Sequence, residues 1–261
     1  MKNIRMRKLL IGLAVLFLAG LILDSGYAVD PVGQWFLDEG EGKVIKDSSE
    51  KKNDGEIMHE TEWIDGKFGK ALKFDGQDDC AQIPIDFLPE EYTLSAWIYQ
   101  ISAEKSPGDD SDYGQTILSS SSISGTNYGF WLLSYKGEQI RFYSFATAPA
   151  VANSLLTEDK VISLEQWHHI VVTAVKGGES AIYVDGIEKA RWNNQGGEVT
   201  TTAYYIGDLR LDRLITFNGI IDEVAIYDSV LSPADIVRLG SSAVSYSGKL
   251  ATTWGVIKNH R

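Results

Sequence analysis

Polar and apolar residues alternate in short runs along most of this chain, and Gly, Asp, Asn and Ser clusters separate the runs. "VGQWFLDEG" comes first, then "GKALKFDGQDDCAQIPI", which reads as a hairpin turning at Asp75–Asp79. "EYTLSAWIYQ" follows, with Tyr92, Leu94, Ala96 and Ile98 on one face. "QTILSSSS" and "NYGFWLLSYKGEQIRFYSF" come next, the latter turning at Lys136–Gly137. "QWHHIVVTAVKGGESAIYVDGIEKARW" turns at Gly177–Gly178 and again at Asp185–Gly186, and "AYYIGD" precedes the last run. Many short strands at this spacing predict an all-β sandwich or barrel, and a domain of about 210 residues suits a large jelly roll better than an immunoglobulin-type sandwich. Residues 103–113 and 148–160 read as loops, the first acidic.

The closing run, "FNGIIDEVAIYDSVLSPADIVRL" (217–239), poses the sharpest chemical question. Simple alternation puts Ile220, Asp222, Val224 and Ile226 on one face and Ile221, Glu223, Ala225 and Tyr227 on the other. Asp222 is then a carboxylate on an apolar face. It must have a partner, because an unpaired buried carboxylate costs several kcal/mol or is forced neutral. A metal ion, a catalytic role or a hydrogen-bond hub would each provide one. A short C-terminal helix follows: Ser232 caps it, Pro233 opens it, Asp235 suits its dipole, Ile236 and Leu239 form its apolar stripe, and Gly240 can end it. It is expected to pack on the end of the sandwich.

Residues 1–28 combine a basic start, the apolar run "LLIGLAVLFLAGLIL" and small residues before Val29, the layout of a secretory signal peptide. The expected organisation is a signal over 1–28, one domain over 30–240 and a tail over 241–261. The chain would be secreted, extracellular or periplasmic, or else held by an uncleaved N-terminal anchor. Losing that segment would move the formal charge from −12 to −15. Such an acidic chain is poorly suited to nucleic acid or anionic membrane and better suited to neutral ligands or divalent cations. Cys80, the one cysteine, lies in a strand-like run and reads as a buried thiol.

Enzyme patterns are scarce. No nucleophile elbow is present and no Ser/His/Asp set can be picked out. Glycosidic cleavage needs two carboxylates on one cleft wall, and alternation puts Asp222 and Glu223 on opposite faces. His168 and His169, adjacent on a strand, face opposite sides and cannot share a metal; one is expected in the core and the other exposed. Asp75, Asp78 and Asp79 read as a tight turn before they read as a cation site.

Several motifs, in order, resemble the laminin-G-like, concanavalin A-like jelly rolls. "GQWFLDEGEGKVIKDSSEKKNDGEI", "GKFGKALKFDGQDDCAQIP", "YTLSAWIY", "QWHHIVVTA", "AIYVDGIEKA" and the closing run carry this resemblance across about residues 32–239. It implies a two-sheet antiparallel jelly-roll sandwich, usually non-catalytic, binding carbohydrate, cell-surface proteins or matrix, often with a calcium ion. With the first and last strands as neighbours, Asp38, Asp47, Asn53 and Asp222 become the expected Ca²⁺ ligands; otherwise these acids accept backbone N–H groups. Two lysines, Lys51 and Lys52, stand against the cation. For a sugar, the expected contacts are Tyr113, Tyr128, Trp192, Asn193 and Asn194, with Arg210 and Arg213 adding polar reach. Trp35, Trp97 and Trp167 are expected in the core. The expected function is glycan recognition. An adhesion module with a protein partner, and a divergent glycoside hydrolase, are the alternatives.

Overall fold

The computed structural model describes residues 29–104, 114–121, 128–144, 153–193, 201, 203–209 and 215–241. The expected signal and almost all of the expected tail lie outside these residues. Among them no helix is long and apolar enough to cross a membrane. The strands, in chain order, are β1 (Gly33–Trp35), β2 (Val44–Ile45), β3 (Gly55–Met58), β4 (Glu62–Asp65), β5 (Lys70–Asp75), β6 (Cys80–Ile83), β7 (Glu91–Gln100) and β8 (Gln115–Ser121). They continue with β9 (Tyr128–Tyr135), β10 (Gln139–Ser144), β11 (Asn153–Leu156), β12 (Trp167–Val175), β13 (Glu179–Val184), β14 (Ile187–Asn193), β15 (Ala203–Ile206) and β16 (Asn218–Tyr227). Helix α1 spans Pro233–Ser241.

All strand pairs are antiparallel, in two sheets. The first runs β14-β13-β12-β7-β16-β5-β4, with β1 also on β16; the second runs β11-β10-β9-β8-β15-β6-β3-β2. The expected all-β sandwich is therefore what forms. Its main core lies between the sheets and takes the alternating apolar positions of both, including Tyr92, Leu94, Ala96 and Ile98 of β7 and Phe130, Leu132 and Phe142 opposite. The hairpins at Lys136–Gly137, Gly177–Gly178 and Asp185–Gly186 form as the turn residues indicate.

Three readings are corrected. Asp75–Asp79 is not a hairpin turn: β5 pairs with β16 and β4, whereas β6 pairs with β15 and β3, so these residues carry the chain from one sheet to the other. Alternation looks the same on both sides of such a crossover and cannot reveal it. The loop expected over 148–160 contains the edge strand β11. Helix α1 packs on the outer face of the first sheet rather than on the end of the sandwich. There Leu231, Ile236 and Leu239 meet Val171, Ala181, Tyr183, Ala225 and Tyr227. It also runs one residue past Gly240, where a Cβ would make a tight 3.0 Å contact with His169 Nδ1.

The helix start follows the sequence. The Ser232 hydroxyl accepts the Asp235 N–H at 3.2 Å, and the Asp235 carboxylate accepts the Ser232 N–H at 3.3 Å, a reciprocal cap. Replacing Ser232 by Ala is expected to lower stability by about 1 kcal/mol, read from urea denaturation as a lower midpoint with an unchanged slope.

Candidate functional site

The long closing strand β16 changes partner halfway. Its first part, up to Ile221, pairs with β5; its last part, from Val224, pairs with β1 on the same side. Asp222 and Glu223 fall in the gap. On the other side the pairing with β7 slips there, since Asp222 opposes Trp97 while Ala225 opposes Ser95. This is a β-bulge, with Glu223 in the left-handed region at φ 51°. The bulge overturns simple alternation. Ile221, Val224 and Ile226 all enter the main core, while Ala225 and Tyr227 join the outer cluster under α1. Asp222 therefore sits on the outer side of the sheet, not on the face of Val224 and Ile226. Nor does Glu223 point away from it. Glu223 joins Ser95, Trp97, His169, Ala225 and Tyr227 around a small outer cavity of about 10 Å³.

Asp222 is fully buried, and its carboxylate serves the strand gap. Oδ1 accepts the Glu223 N–H at 2.8 Å, and Oδ2 accepts the Phe68 N–H at 3.0 Å. The loop between β4 and β5 thus closes over the bulge. Gly66 and Gly69 make that approach possible, because a Cβ on them would lie 2.6 Å from Asp222 Oδ2 and 2.0 Å from Asp38 Oδ1 respectively. Asp38 accepts the Lys70 N–H at 2.7 Å from the other side. Phe68 lies edge-on to Trp97 at 6.0 Å, and Lys67 Nζ sits 4.3 Å above the Trp97 ring. Burial pushes Asp222 up to about 7 despite its N–H donors, and the Asp38 charge adds to the rise. Burial, then the Asp222 and Asp38 charges, push Glu223 up to about 8.

The four residues expected to hold calcium do not meet in one shell. Asp38 and Asp222 lie together at the bulge. Asp47 organises a separate turn, where its carboxylate accepts the Gln34 N–H at 2.9 Å, the Ser49 N–H and hydroxyl at 2.8 Å each, and the Asn53 N–H at 2.8 Å. The Asn53 carbonyl is held by Trp35 Nε1 at 3.1 Å. Four donors on one carboxylate make an anion receptor, so its oxygens have little capacity left for a cation. The arrangement matches the backbone N–H alternative. The three acids at the sheet crossover are close together, but they stabilise their own turn: Asp79 accepts the Asp75 N–H at 3.0 Å, and Asp75 accepts the Gln77 N–H at 2.7 Å.

Of the expected sugar contacts, Tyr113, Asn194, Arg210 and Arg213 lie outside the described residues, and so does the side chain of Tyr128, which opens β9. Trp192 is not a free loop aromatic. It lies in β14, opposite Ser180, and packs against the main core. Asn193 ends the same strand, exposed. The tryptophans expected in the core divide. Trp35 is fully buried and Trp97 nearly so, but Trp167 is partly exposed on the outer face of the first sheet. It pairs across strands with the partly exposed Tyr99, ring centroids 5.6 Å apart. The same cross-strand row continues through Ile220 and Lys73 to Glu62, with Lys73 and Glu62 joined at 3.2 Å. Five strands span about 19 Å at the usual spacing. Parity along β12 would have placed Trp167 with buried His169; what it misses is that α1 and the β4–β5 loop cover the sheet only farther on.

The two histidines face opposite ways, as expected. His169 is buried, stacks on Trp97 at 5.1 Å and meets the Ser95 hydroxyl at 2.8 Å; burial lowers it to about 4, so it is neutral. His168 is partly exposed and forms a chain that sequence reading missed. Its Nδ1 lies 2.8 Å from Asp185 Oδ2, and its Nε2 lies 3.2 Å from Ser163 Oγ. The β12–β13 hairpin supplies this geometry: Asp185 follows the pairing of Ile170 with Val184, and its other oxygen accepts the His169 N–H at 2.9 Å. Partial burial would raise Asp185, but His168 and that N–H outweigh it and hold the carboxyl low. Ser163 has no regular spacing to His168 that could have announced it.

Two outcomes follow from this geometry. Folded Asp222 and Glu223 hold protons up to about pH 7 and 8, whereas the unfolded groups release them near 4. The folded chain therefore binds more protons between about pH 4 and 8, and stability is expected to fall as pH rises through that window. Urea midpoints measured against pH check this, with Asp222→Asn flattening the slope. Asp47→Ala is expected to cost on the order of 3 kcal/mol, by stranding buried donors, and to lower the melting temperature equally in Ca²⁺ and in EDTA.

The architecture has known counterparts. Domain 4 of AbnA, a GH43 extracellular arabinanase from Geobacillus stearothermophilus solved in complex with arabinotriose, superposes with a TM-score of 0.61 at 20% identity, covering 81% of this chain and 98% of that one. The binding domain of Paraclostridial Mosquitocidal Protein 1 matches with a TM-score of 0.62 at 13% identity, and that of botulinum neurotoxin serotype G with 0.62 at 16%. The chain spans about half the length of these two toxin domains, 52% and 50%. At such identities the likeness is one of fold. No curated protein matches the chain. The family model of the concanavalin A-like lectin/glucanases superfamily, Laminin_G_3, matches residues 75–237. That match covers more than half the chain, from the sheet crossover into helix α1, and the chain belongs to this superfamily.

Proposed function

We propose that this chain is a carbohydrate-binding module whose ligand lies across the outer face of the first sheet, on Tyr99 and Trp167. The observation that carries this reading is the pair of partly exposed aromatic rings in cross-strand register, with the Lys73–Glu62 ion pair in the same row. Aromatic faces stack on the apolar faces of sugar rings, and a neighbouring ammonium and carboxylate offer a donor and acceptors for hydroxyls. Support also comes from the arabinanase domain of like fold, solved with a trisaccharide. Its low identity to this chain leaves the sugar itself to be found. A neutral glycan suits the row, since the overall charge of −12 disfavours acidic ones. The chain would act where such glycans are, outside the cell.

The module binds its glycan rather than cutting it. Asp222 is buried with both oxygens on backbone donors, so it cannot flank a glycosidic bond. In this reading calcium is not part of the contact, since Asp47 and Asp222, two of the four expected ligands, already accept hydrogen bonds from the fold on both oxygens. A protein partner is the second reading. Ile187 and Val237 favour it: they are 60% and 55% exposed beside the β13–β14 turn.

A glycan array with the full-length protein, with and without chelator, tests the proposal. Binding is expected in both conditions. Trp167→Ala is expected to weaken it at least tenfold, about 1.4 kcal/mol, with circular dichroism unchanged. Silence across a broad array would favour the protein-partner reading, and release of reducing sugar would restore the hydrolase.

A further inference from the structure

The Ser163–His168–Asp185 chain is used by neither the fold's core nor the proposed glycan face. Its hydrogen bonds identify the imidazole tautomer. The Ser163 backbone N–H reaches His168 Nε2 at 3.1 Å, and an N–H can donate only to an unprotonated ring nitrogen. Nε2 therefore carries the lone pair, and Nδ1 carries the proton, directed at Asp185 Oδ2 at 2.8 Å. That is the form a general base needs, held by a carboxylate as in hydrolytic triads. Ser163 Oγ, 3.2 Å from Nε2, sits beside the same lone pair. The backbone N–H of Asp185's second contact, His169, fixes the carboxylate in turn.

The chain opens onto a groove of about 410 Å³, within the range of small-molecule sites. Val161, Leu164 and the stem of Lys160 give it apolar wall, and Lys136 and Lys160 bring positive charge. Glu138 also lines it.

We propose that Ser163, His168 and Asp185 form an acyl-transfer site for short-chain carboxylic esters, an activity separate from glycan binding. Ser163 Oγ attacks the ester carbonyl as its proton passes to His168 Nε2. The tetrahedral adduct collapses, the C–O bond to the alcohol breaks, and the alcohol leaves with the His168 proton. Water, deprotonated by His168, then cleaves the acyl-serine. Acid and alcohol are released and Ser163 regains its proton. Asp185 orients His168 and stabilises the imidazolium. Because the Ser163 N–H competes for Nε2 and is turned away from the reacting carbonyl, turnover is slow.

The full-length protein is treated with a fluorophosphonate probe and mapped by mass spectrometry, and hydrolysis of p-nitrophenyl acetate is followed in parallel. The expected result is an adduct on Ser163, absent in Ser163→Ala and formed at least tenfold more slowly in His168→Gln. Ester hydrolysis in Ser163→Ala is expected to fall at least tenfold. Ser163→Ala leaves the backbone contacts of the loop intact, so its comparison with the parent stands even if His168→Gln does not fold. An unlabelled Ser163, or ester hydrolysis unchanged in Ser163→Ala, overturns the proposal. A glycan-array result does not bear on it either way.

Discussion

The Asp222 carboxylate closes a break in the strand pairing at the middle of the first sheet. A strand of ten residues, β16, runs through the middle of the first sheet but has two short partners on one side, with a gap between them. Backbone N–H groups at such a gap are buried, and each unsatisfied one costs about 1–3 kcal/mol. Asp222 satisfies that of Glu223 directly and draws in that of Phe68, so the β4–β5 loop becomes the missing partner. β1 and β5 can then both lie against the closing strand, although β1 has only three residues. The bulge is the geometric condition for this arrangement. It turns Asp222 outward, under the loop, while Ile221 and Val224 on either side both face the core.

The same device has an electrostatic cost. Burial raises Asp222 and Glu223; the Asp38 charge adds to both, and the Asp222 charge adds to the rise of Glu223. Hydrogen-bond donors meet these carboxylates: backbone N–H groups on Asp222 and Asp38, and four donors on Asp47 farther along the N-terminal segment. Carboxylates used this way act as local staples for irregular backbone.

The proposed glycan face lies on what these staples leave uncovered. The outer face of the first sheet is closed by α1 at one end and by the β4–β5 loop beside Trp97. The row through Trp167 and Tyr99 lies beyond both covers, and there the aromatics are partly exposed. The groove at Ser163 and His168 lies at the start of the same strand, on the opposite side of it from Trp167 and His169. One strand thus presents the proposed glycan row on one face and the proposed acyl-transfer site on the other, because side-chain direction alternates along it.

The residue pattern alone determined the class of fold, the core face of β7, three hairpin turns, the capped helix and the division of His168 from His169. Each of these depends on neighbours in sequence: period-two alternation, turn chemistry and capping act within a few residues. Other features depended on which strands meet. The crossover at Asp75–Asp79, the bulge at Asp222, the grouping of Asp38 with Asp222 but not with Asp47, and the exposure of Trp167 all follow from pairings between distant segments. The Ser163–His168–Asp185 chain is of this kind as well, since it needs the β12–β13 register and the loop before β12 together. A carboxylate in a sequence shows that a partner is required. Only the tertiary structure decided that for Asp222 the partner is the backbone of a loop 154 residues away, because the gap it fills exists only once β1 and β5 lie on the same strand.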